Sequence, residues 1–315
     1  MSQRKQTSNA TTIGFVVLLS LVCAVVLSAL ASALREPQEV ARELYRSTQM
    51  LVAARIFNQT TGTFQIENED GEYVPADAQE DGRLVPANGK AKFPTNNEIL
   101  AVYRARIRTM LVDSKGELTT FEKAGIDETN YLSRYRKQGY YKPPEKLLYK
   151  ILPNPTSEKN EKDNSQAVGW VIPVNGFGLW DAIYGYLAIK PDGVTVIGIS
   201  WYEQKETPGL GANISEASWQ SQFPGKKIFQ PNASGEIDPD TAPIGITVVR
   251  GEVAQVYGDS PKAENAVDGM SGATLTGNGV TQAYHDVLQA YRPFIVDLAE
   301  DDESSDQKVQ SSREG

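Results

Sequence analysis

Ala182-Ile-Tyr-Gly-Tyr-Leu-Ala-Ile189, Lys190-Pro-Asp-Gly193 and Val194-Thr-Val-Ile-Gly-Ile-Ser-Trp-Tyr202 decide the fold class. The two outer runs are rich in β-branched and aromatic residues, and the middle one joins a proline to Asp-Gly, which favours a tight turn. Two such runs across so short a connection pair as an antiparallel hairpin. Gly169-Trp-Val-Ile-Pro-Val174 upstream is a third β-rich run, and Ile246-Thr-Val-Val-Arg250 downstream is a fourth. Between them, Ser215 to Phe223 reads as a short helix capped by Ser215. A stronger helix starts near Asn278, where Val280, Ala283, Tyr284, Val287, Leu288 and Tyr291 make one apolar stripe; Pro293 is expected to end it. Strands followed by helices, without βαβ alternation, give an α+β fold: a twisted antiparallel sheet with flanking helices.

Toward the amino terminus, Ile13 to Leu34 is a run of 22 residues without a charge. At about 1.5 Å per residue it crosses the roughly 30 Å hydrocarbon core of a membrane. Ala29-Leu-Ala31 resembles a signal-peptidase site, but signal cores run only about 7–15 residues, so the length favours an anchor. Arg4 and Lys5 precede the span, which favours an amino terminus in the cytoplasm and the rest of the chain outside. Cys23, mid-span, reads as a small apolar residue. Glu36 to Phe57 continues as a helix, with Val40, Leu44, Leu51 and Ala54 at helical spacing.

Residues 58–165 are polar, with turn signals at Asn68-Glu-Asp-Gly71 and Pro143-Pro144 and a charged loop at Ser157-Glu-Lys-Asn-Glu-Lys-Asp163. One or two short helices and some edge strands are expected there. The chain therefore divides into a cytoplasmic segment 1–12, a span 13–34, a membrane-proximal helix and divergent region 35–165, a binding domain 166–298 and an acidic, disordered tail 299–315.

Composition removes several function classes. Among 315 residues, 40% are hydrophobic and 23% charged, as in ordinary globular proteins. The net charge of −9 opposes binding to nucleic acid. One cysteine and one histidine exclude an internal disulfide, a thiolate-bound iron–sulfur cluster and a Cys-rich zinc site within this chain, and no metal site is expected. His285 lies off the apolar stripe and reads as solvated. Gly176-Phe-Gly178 lacks the third glycine and the strand–helix context of a dinucleotide loop, so NADH is not expected to bind here directly. Redox work by this chain would need an organic cofactor.

Two segments could carry chemistry. In Asp268-Gly-Met-Ser-Gly-Ala-Thr274-Leu-Thr276-Gly-Asn-Gly279, small residues permit close approach of an anion just before a helix whose positive end favours phosphate. The residues alone equally allow a Gly-rich turn with Thr276 or Asn278 as helix cap. In Glu203-Gln-Lys-Glu206-Thr207-Pro-Gly-Leu210-Gly211, a carboxylate, a hydroxyl and two glycines share a loop that could also be a plain turn. Trp180, ending Gly176-Phe-Gly-Leu-Trp180, could lie against a planar ring or simply fill the core.

Taken in order, the amino-terminal span, Gly178-Leu-Trp180, Tyr202-Glu-Gln with Glu206-Thr-Pro-Gly-Leu-Gly211, and Asp268-Gly-Met-Ser-Gly-Ala-Thr-Leu-Thr276 resemble the flavinylated C subunits of Na+-translocating NADH:quinone reductases. The family pattern Asp-x-x-Ser/Thr-Gly-Ala-Thr/Ser is matched at every specified position. The resemblance implies FMN joined by a phosphoester to Thr274, placed there by a flavin transferase, with Thr276 the rival acceptor. Asp268, Ser271, Gly272, Ala273 and Leu275 would position it; Glu206, Thr207, Leu210 and Trp180 would lie near the isoalloxazine ring. No residue of the chain would be catalytic alone. Its partners would be the B subunit, which bears a second FMN, and the iron-bearing membrane subunits, with NADH and quinone bound elsewhere. The G subunits of Rnf-type ferredoxin:NAD+ oxidoreductases share the pattern, and a non-redox, membrane-anchored binding protein is the third alternative.

Overall fold

The computed structural model describes residues 9–68, 70–155 and 166–313. The basic Arg4 and Lys5, the charged loop Ser157–Asp163 and the last two residues of the tail lie outside them. The chain separates into two units, Met1–Arg46 and Ser47–Gly315.

The first unit is most of α1 (Asn9–Ala53), one helix where the sequence suggests a span followed by a second helix. Pro37 lies inside it. Proline removes one intrahelical hydrogen bond, and the good helix formers around it carry the helix through. An 18-residue window of this helix has mean hydropathy 2.9 and no buried share, so it is long and apolar enough to cross a membrane.

Helix α1 ends in a left-handed cap. Ile56 N–H reaches the Leu51 carbonyl at 2.8 Å, and Arg55 adopts φ 55°, where glycine is the usual residue. An antiparallel meander follows: β1 (Phe57–Asn58), β2 (Thr63–Glu67), β3 (Tyr73–Ala78) and β4 (Leu84–Pro86). Helix α2 (Asn96–Arg106) starts from a capping box between Thr95 and Glu98.

The main sheet has six strands: β5 (Ile107–Val112), β6 (Leu118–Thr119), β7 (Lys146–Ile151), β8 (Gly169–Phe177), β9 (Ala182–Ile189) and β10 (Val196–Glu203). Their order is β10-β9-β8-β7-β5-β6, antiparallel throughout. The predicted hairpin is present, pairing Val196 with Ile189 and Ser200 with Tyr186. Short helices occur at α3 (Phe121–Ala124) and α4 (Glu128–Tyr135). The expectation of edge strands before residue 165 holds for β6 and fails for β5 and β7, which are interior. In Lys146-Leu-Leu-Tyr-Lys-Ile151 five of six residues are buried. A strand buried on both faces shows no alternation to betray it.

Helix α5 (Ala217–Gln220) is one turn, and Ser215 does not cap it: the cap position is Glu216. The expected strand at Ile246–Arg250 is only β11 (Thr247–Val248), paired in parallel with β12 (Ala266–Val267) outside the main sheet. Between them lies α6 (Val253–Val256).

Helix α7 (Thr274–Arg313) packs its predicted stripe on one face of the main sheet. Trp201 meets Tyr284 edge-on at 5.5 Å, and Tyr291 donates its hydroxyl to the Leu147 carbonyl at 2.6 Å. The other face receives Ser47–Ala53, where Ser200 donates to Gln49 at 2.5 Å. Two boundaries of α7 correct the sequence expectation. It begins four residues before Asn278, and it neither stops at Pro293 nor gives way to disorder at Ala299, since the backbone is helical to Arg313. Phe294, Ile295 and Ala299 extend the buried stripe, and Phe294 meets Trp170 at 5.1 Å. Burying two such side chains as Phe294 and Ile295 is worth about 1.5–3 kcal/mol each, enough to offset roughly 3 kcal/mol for an interior proline. Pro293→Ala is therefore expected to raise stability by about 1–3 kcal/mol in thermal unfolding; a loss would mean that the proline itself packs in the helix.

Candidate functional site

The functional segments meet where the β8–β9 turn, the loop after β10 and the start of α7 converge. Their common point is Glu206, 5% exposed. Its carboxylate accepts the N–H groups of Leu179 and Trp180, both at 3.0 Å, and the Thr276 hydroxyl at 2.5 Å. Burial pushes the Glu206 carboxyl up, but these donors outweigh it and hold the group below its ordinary value. Glycine makes the approach possible: a Cβ on Gly178 would run into Glu206 Oε1, and one on Gly211 would lie 2.5 Å from Thr276 Oγ1.

The segment Asp268 to Thr274 is fixed from below. Asp268 takes a hydrogen bond at its carbonyl from Trp219 Nε1 (3.0 Å), donates its N–H to Gln222 Oε1 (2.8 Å), and accepts Val253 N–H at its carboxylate (2.7 Å). That last bond ties α6 to the loop. Gly272 turns the chain at φ 72°, with Leu210 Cδ2 3.0 Å from where a Cβ would sit.

Helix α7 then starts. The Ala273 carbonyl accepts Gly277 N–H at 3.0 Å, so Ala273 is the cap, and its methyl group offers no acceptor. Neither Thr276 nor Asn278 caps the helix. Among the described residues, no acceptor meets the N–H groups of Thr274, Leu275 and Thr276. Thr274 is exposed at the first helical position. The Thr276 hydroxyl is committed to Glu206, and its residue is 1% exposed.

Beside Thr274 runs a groove of about 410 Å³ lined by Arg250, Gly251, Gly269, Met270, Ser271 and Asn278. Arg250 is the cation of this groove and Glu252 its carboxylate, at the anion-attracting end of the helix, and no motif singled out either. On the other side stands apolar surface: Trp180 is 68% exposed with Nε1 donating to Thr207 Oγ1 at 3.1 Å, and Leu275 is 59% exposed. Phe177, Leu179 and Leu210 are also exposed. The structure thus gathers every residue named from the sequence. Trp180, Leu210, Ser271, Thr274 and Leu275 face solvent; Ala273 and Thr276 are buried with Glu206, and Asp268 and Thr207 hold the loops. His285 is exposed beside Asp286, as expected. Arg250, Phe177 and Leu179 were missed; exposed apolar residues beside glycines were the available signal.

The arrangement offers a hydroxyl, three free amides, a helix dipole and a cation for a phosphate, with exposed aromatic and aliphatic faces for a flat ring. An FMN-binding domain model matches residues 178–289. The chain is 39% identical over 292 residues to the C subunit of the Na+-translocating NADH-quinone reductase of Chlamydia caviae, covering 90% of this chain and 91% of that protein. It is 40% identical over 294 residues to the same subunit of Chlamydia pneumoniae, covering 91% of each. With the corresponding protein of Vibrio campbellii the identity is 32% over 299 residues, 90% of this chain and 93% of the relative. The crystal structure of the corresponding protein from Parabacteroides distasonis shares the fold, with TM-score 0.50, 24% identity, and coverage of 83% of this chain and 96% of that one.

Proposed function

The chain belongs to the family of C subunits of Na+-translocating NADH-quinone reductases, and from that membership we propose that it carries FMN as a phosphoester on Thr274 and relays electrons from NADH toward quinone while the complex exports Na+. It is a membrane-anchored subunit of an oxidoreductase complex. Relatives of this one kind, matched over nine-tenths of the chain, favour this reading over a ferredoxin-linked G subunit or a non-redox binding protein.

The observation that carries the attachment is the exposed Thr274 hydroxyl at a helix start whose first amides meet no acceptor among the described residues. Those amides and Arg250 would hold a phosphate. Bound FMN supplies the redox chemistry, which side chains lack. In attachment, Thr274 Oγ would bond to the phosphorus of the FMN half of FAD as the anhydride bond breaks; AMP would leave, and the hydroxyl proton would be released. A flavin transferase is the catalyst this requires. The tether keeps the cofactor at high effective concentration on a surface open to dilution. Glu206 and Asp268 fix the loops; Trp180, Leu210 and Leu275 supply the faces that shield a ring from water. Electrons would arrive through the FAD and iron centres of other subunits and pass to the second FMN, on the B subunit. Protein co-expressed with a flavin transferase is expected to fluoresce in a denaturing gel; a dark band would contradict covalent attachment.

Orientation rests on Arg4 and Lys5 preceding the span. We place the amino terminus in the cytoplasm and residues beyond the span in the periplasm of a bacterial inner membrane. A reporter that works only outside the cytoplasm, fused after Gly315, is expected to be active; activity of a cytoplasmic reporter there would overturn the orientation.

A further inference from the structure

Away from Thr274, a cavity of about 490 Å³ opens between the β2–β3 meander and the end of the main sheet that carries Ile151, Lys190 and Ile197. It shares no lining residue with the groove beside Thr274. It continues into a smaller cavity of about 270 Å³ that again includes Arg55, Tyr73 and Lys190. Its size is that of a small-molecule site.

Among the described residues, the charges lining it do not balance. Arg55, Arg106 and Lys190 face it against one carboxylate, Glu67, which is hydrogen-bonded to Tyr73. Arg106 is 8% exposed; its Nε donates to the Leu152 carbonyl at 2.7 Å, and no other acceptor meets the guanidinium among the described residues. No described carboxylate forms an ion pair with Arg106, Arg55 or Lys190. Burial pulls the Arg106 guanidinium down to about 10, which still leaves it cationic at neutral pH. A buried cation without a counter-ion is costly. Arg55 adds a second cost, since it occupies the left-handed cap where glycine is comfortable, and its guanidinium sits over the Tyr73 ring at 3.9 Å. Ile56, Ile66, Ile151, Val168 and Ile197 give the rest of the wall an apolar character.

We propose that this cleft binds an organic oxyanion, its carboxylate or phosphate head between Arg106, Arg55 and Lys190 and its apolar body against the isoleucine wall. The head supplies the counter-charge that Arg106 lacks among the described residues, and guanidinium groups suit planar, two-pronged recognition of such heads. The site is independent of the flavin, so its test uses none.

The full chain in neutral detergent is titrated calorimetrically with benzoate, phenyl phosphate, inorganic phosphate and benzylamine. Benzoate or phenyl phosphate is expected to bind, and the tighter of the two identifies the head group. Benzylamine is expected to be silent and inorganic phosphate weaker than phenyl phosphate. Lys190→Ala and Arg55→Gly each should weaken binding about tenfold or more; both fold readily, the first being exposed and the second keeping the left-handed turn. Arg106→Met should abolish binding while leaving thermal stability without ligand equal or higher, because it removes an unpaired buried charge. Binding of neither organic anion below about 10 mM, equal binding of benzylamine, or affinity unchanged in Lys190→Ala and Arg55→Gly would overturn the proposal.

Discussion

Thr274→Ala is expected to abolish flavin retained through denaturation and to leave the fold intact. The hydroxyl is exposed and makes no described hydrogen bond, so its loss should change stability by no more than about 0.5 kcal/mol. The rival acceptor two residues on offers no second route. Thr276 is buried and its hydroxyl is engaged by Glu206. The variant should therefore express, unfold at the wild-type temperature and show no in-gel fluorescence. Thr276→Val is the informative counterpart: it should keep covalent flavin and lose about 1–3 kcal/mol, because it removes a donor from a buried carboxylate. The reverse pattern would move the acceptor to Thr276.

Glu206→Ala is the variant with the largest expected structural effect. It strands the N–H groups of Leu179 and Trp180 and the Thr276 hydroxyl around an empty volume. Hydrogen bonds to a charged group contribute about 1.5–3 kcal/mol each, and these three are not independent, so a total near about 3–5 kcal/mol is expected. Flavin acceptance should fall as well, since the same carboxylate links the Trp180 turn to the first turn of α7. The pH dependence has a definite sign. A carboxyl held below its ordinary value stabilises the fold fully above its unfolded pKa, and that stability is lost as pH falls through the folded value. Wild type should thus lose stability below about pH 4.3, whereas Glu206→Gln should lack this component. The gap between the two should be constant at neutral pH and shrink in acid; a gap independent of pH down to the acid limit would show that Glu206 is uncharged in the fold.

The hairpin and the α7 stripe were legible because each is a local pattern. Lys190-Pro-Asp-Gly193 specifies a turn by its own backbone preferences, and Val280 to Tyr291 repeats at the helical period. The errors fall where tertiary packing overrides local preference. Gly277 and Gly279 have low intrinsic helix propensity, yet they sit inside α7 and serve close packing. A Cβ on Gly279 would collide with the Phe177 carbonyl oxygen, and one on Gly277 would lie 3.1 Å from Val248. Their absence of side chains lets α7 begin at Thr274, which moves that threonine from a loop to the first helical position. Pro293 misled for a related reason, since Phe294 and Ile295 are buried beyond it. Strands β5 and β7 hid because interior strands do not alternate.

The site was legible in its membership and less so in its division of labour. Glu206, Thr207 and Trp180 belonged together in sequence as parts of two loops of ambiguous purpose. The structure makes Glu206 the tie between those loops and α7, and leaves Trp180 and Leu275 as exposed surface. Arg250 stood outside every motif; only the folding of β11 beside the start of α7 brings it to the groove at Thr274. Charge placed by topology leaves no trace in local sequence.

The most direct measurement is mass spectrometry of the peptide spanning Asp268 to Gly279, from protein matured with a flavin transferase. This peptide is expected to gain the mass of one FMN less one water, with fragmentation placing the addition on Thr274. An unmodified peptide, or an addition on Ser271 or Thr276, would contradict the attachment of FMN to Thr274.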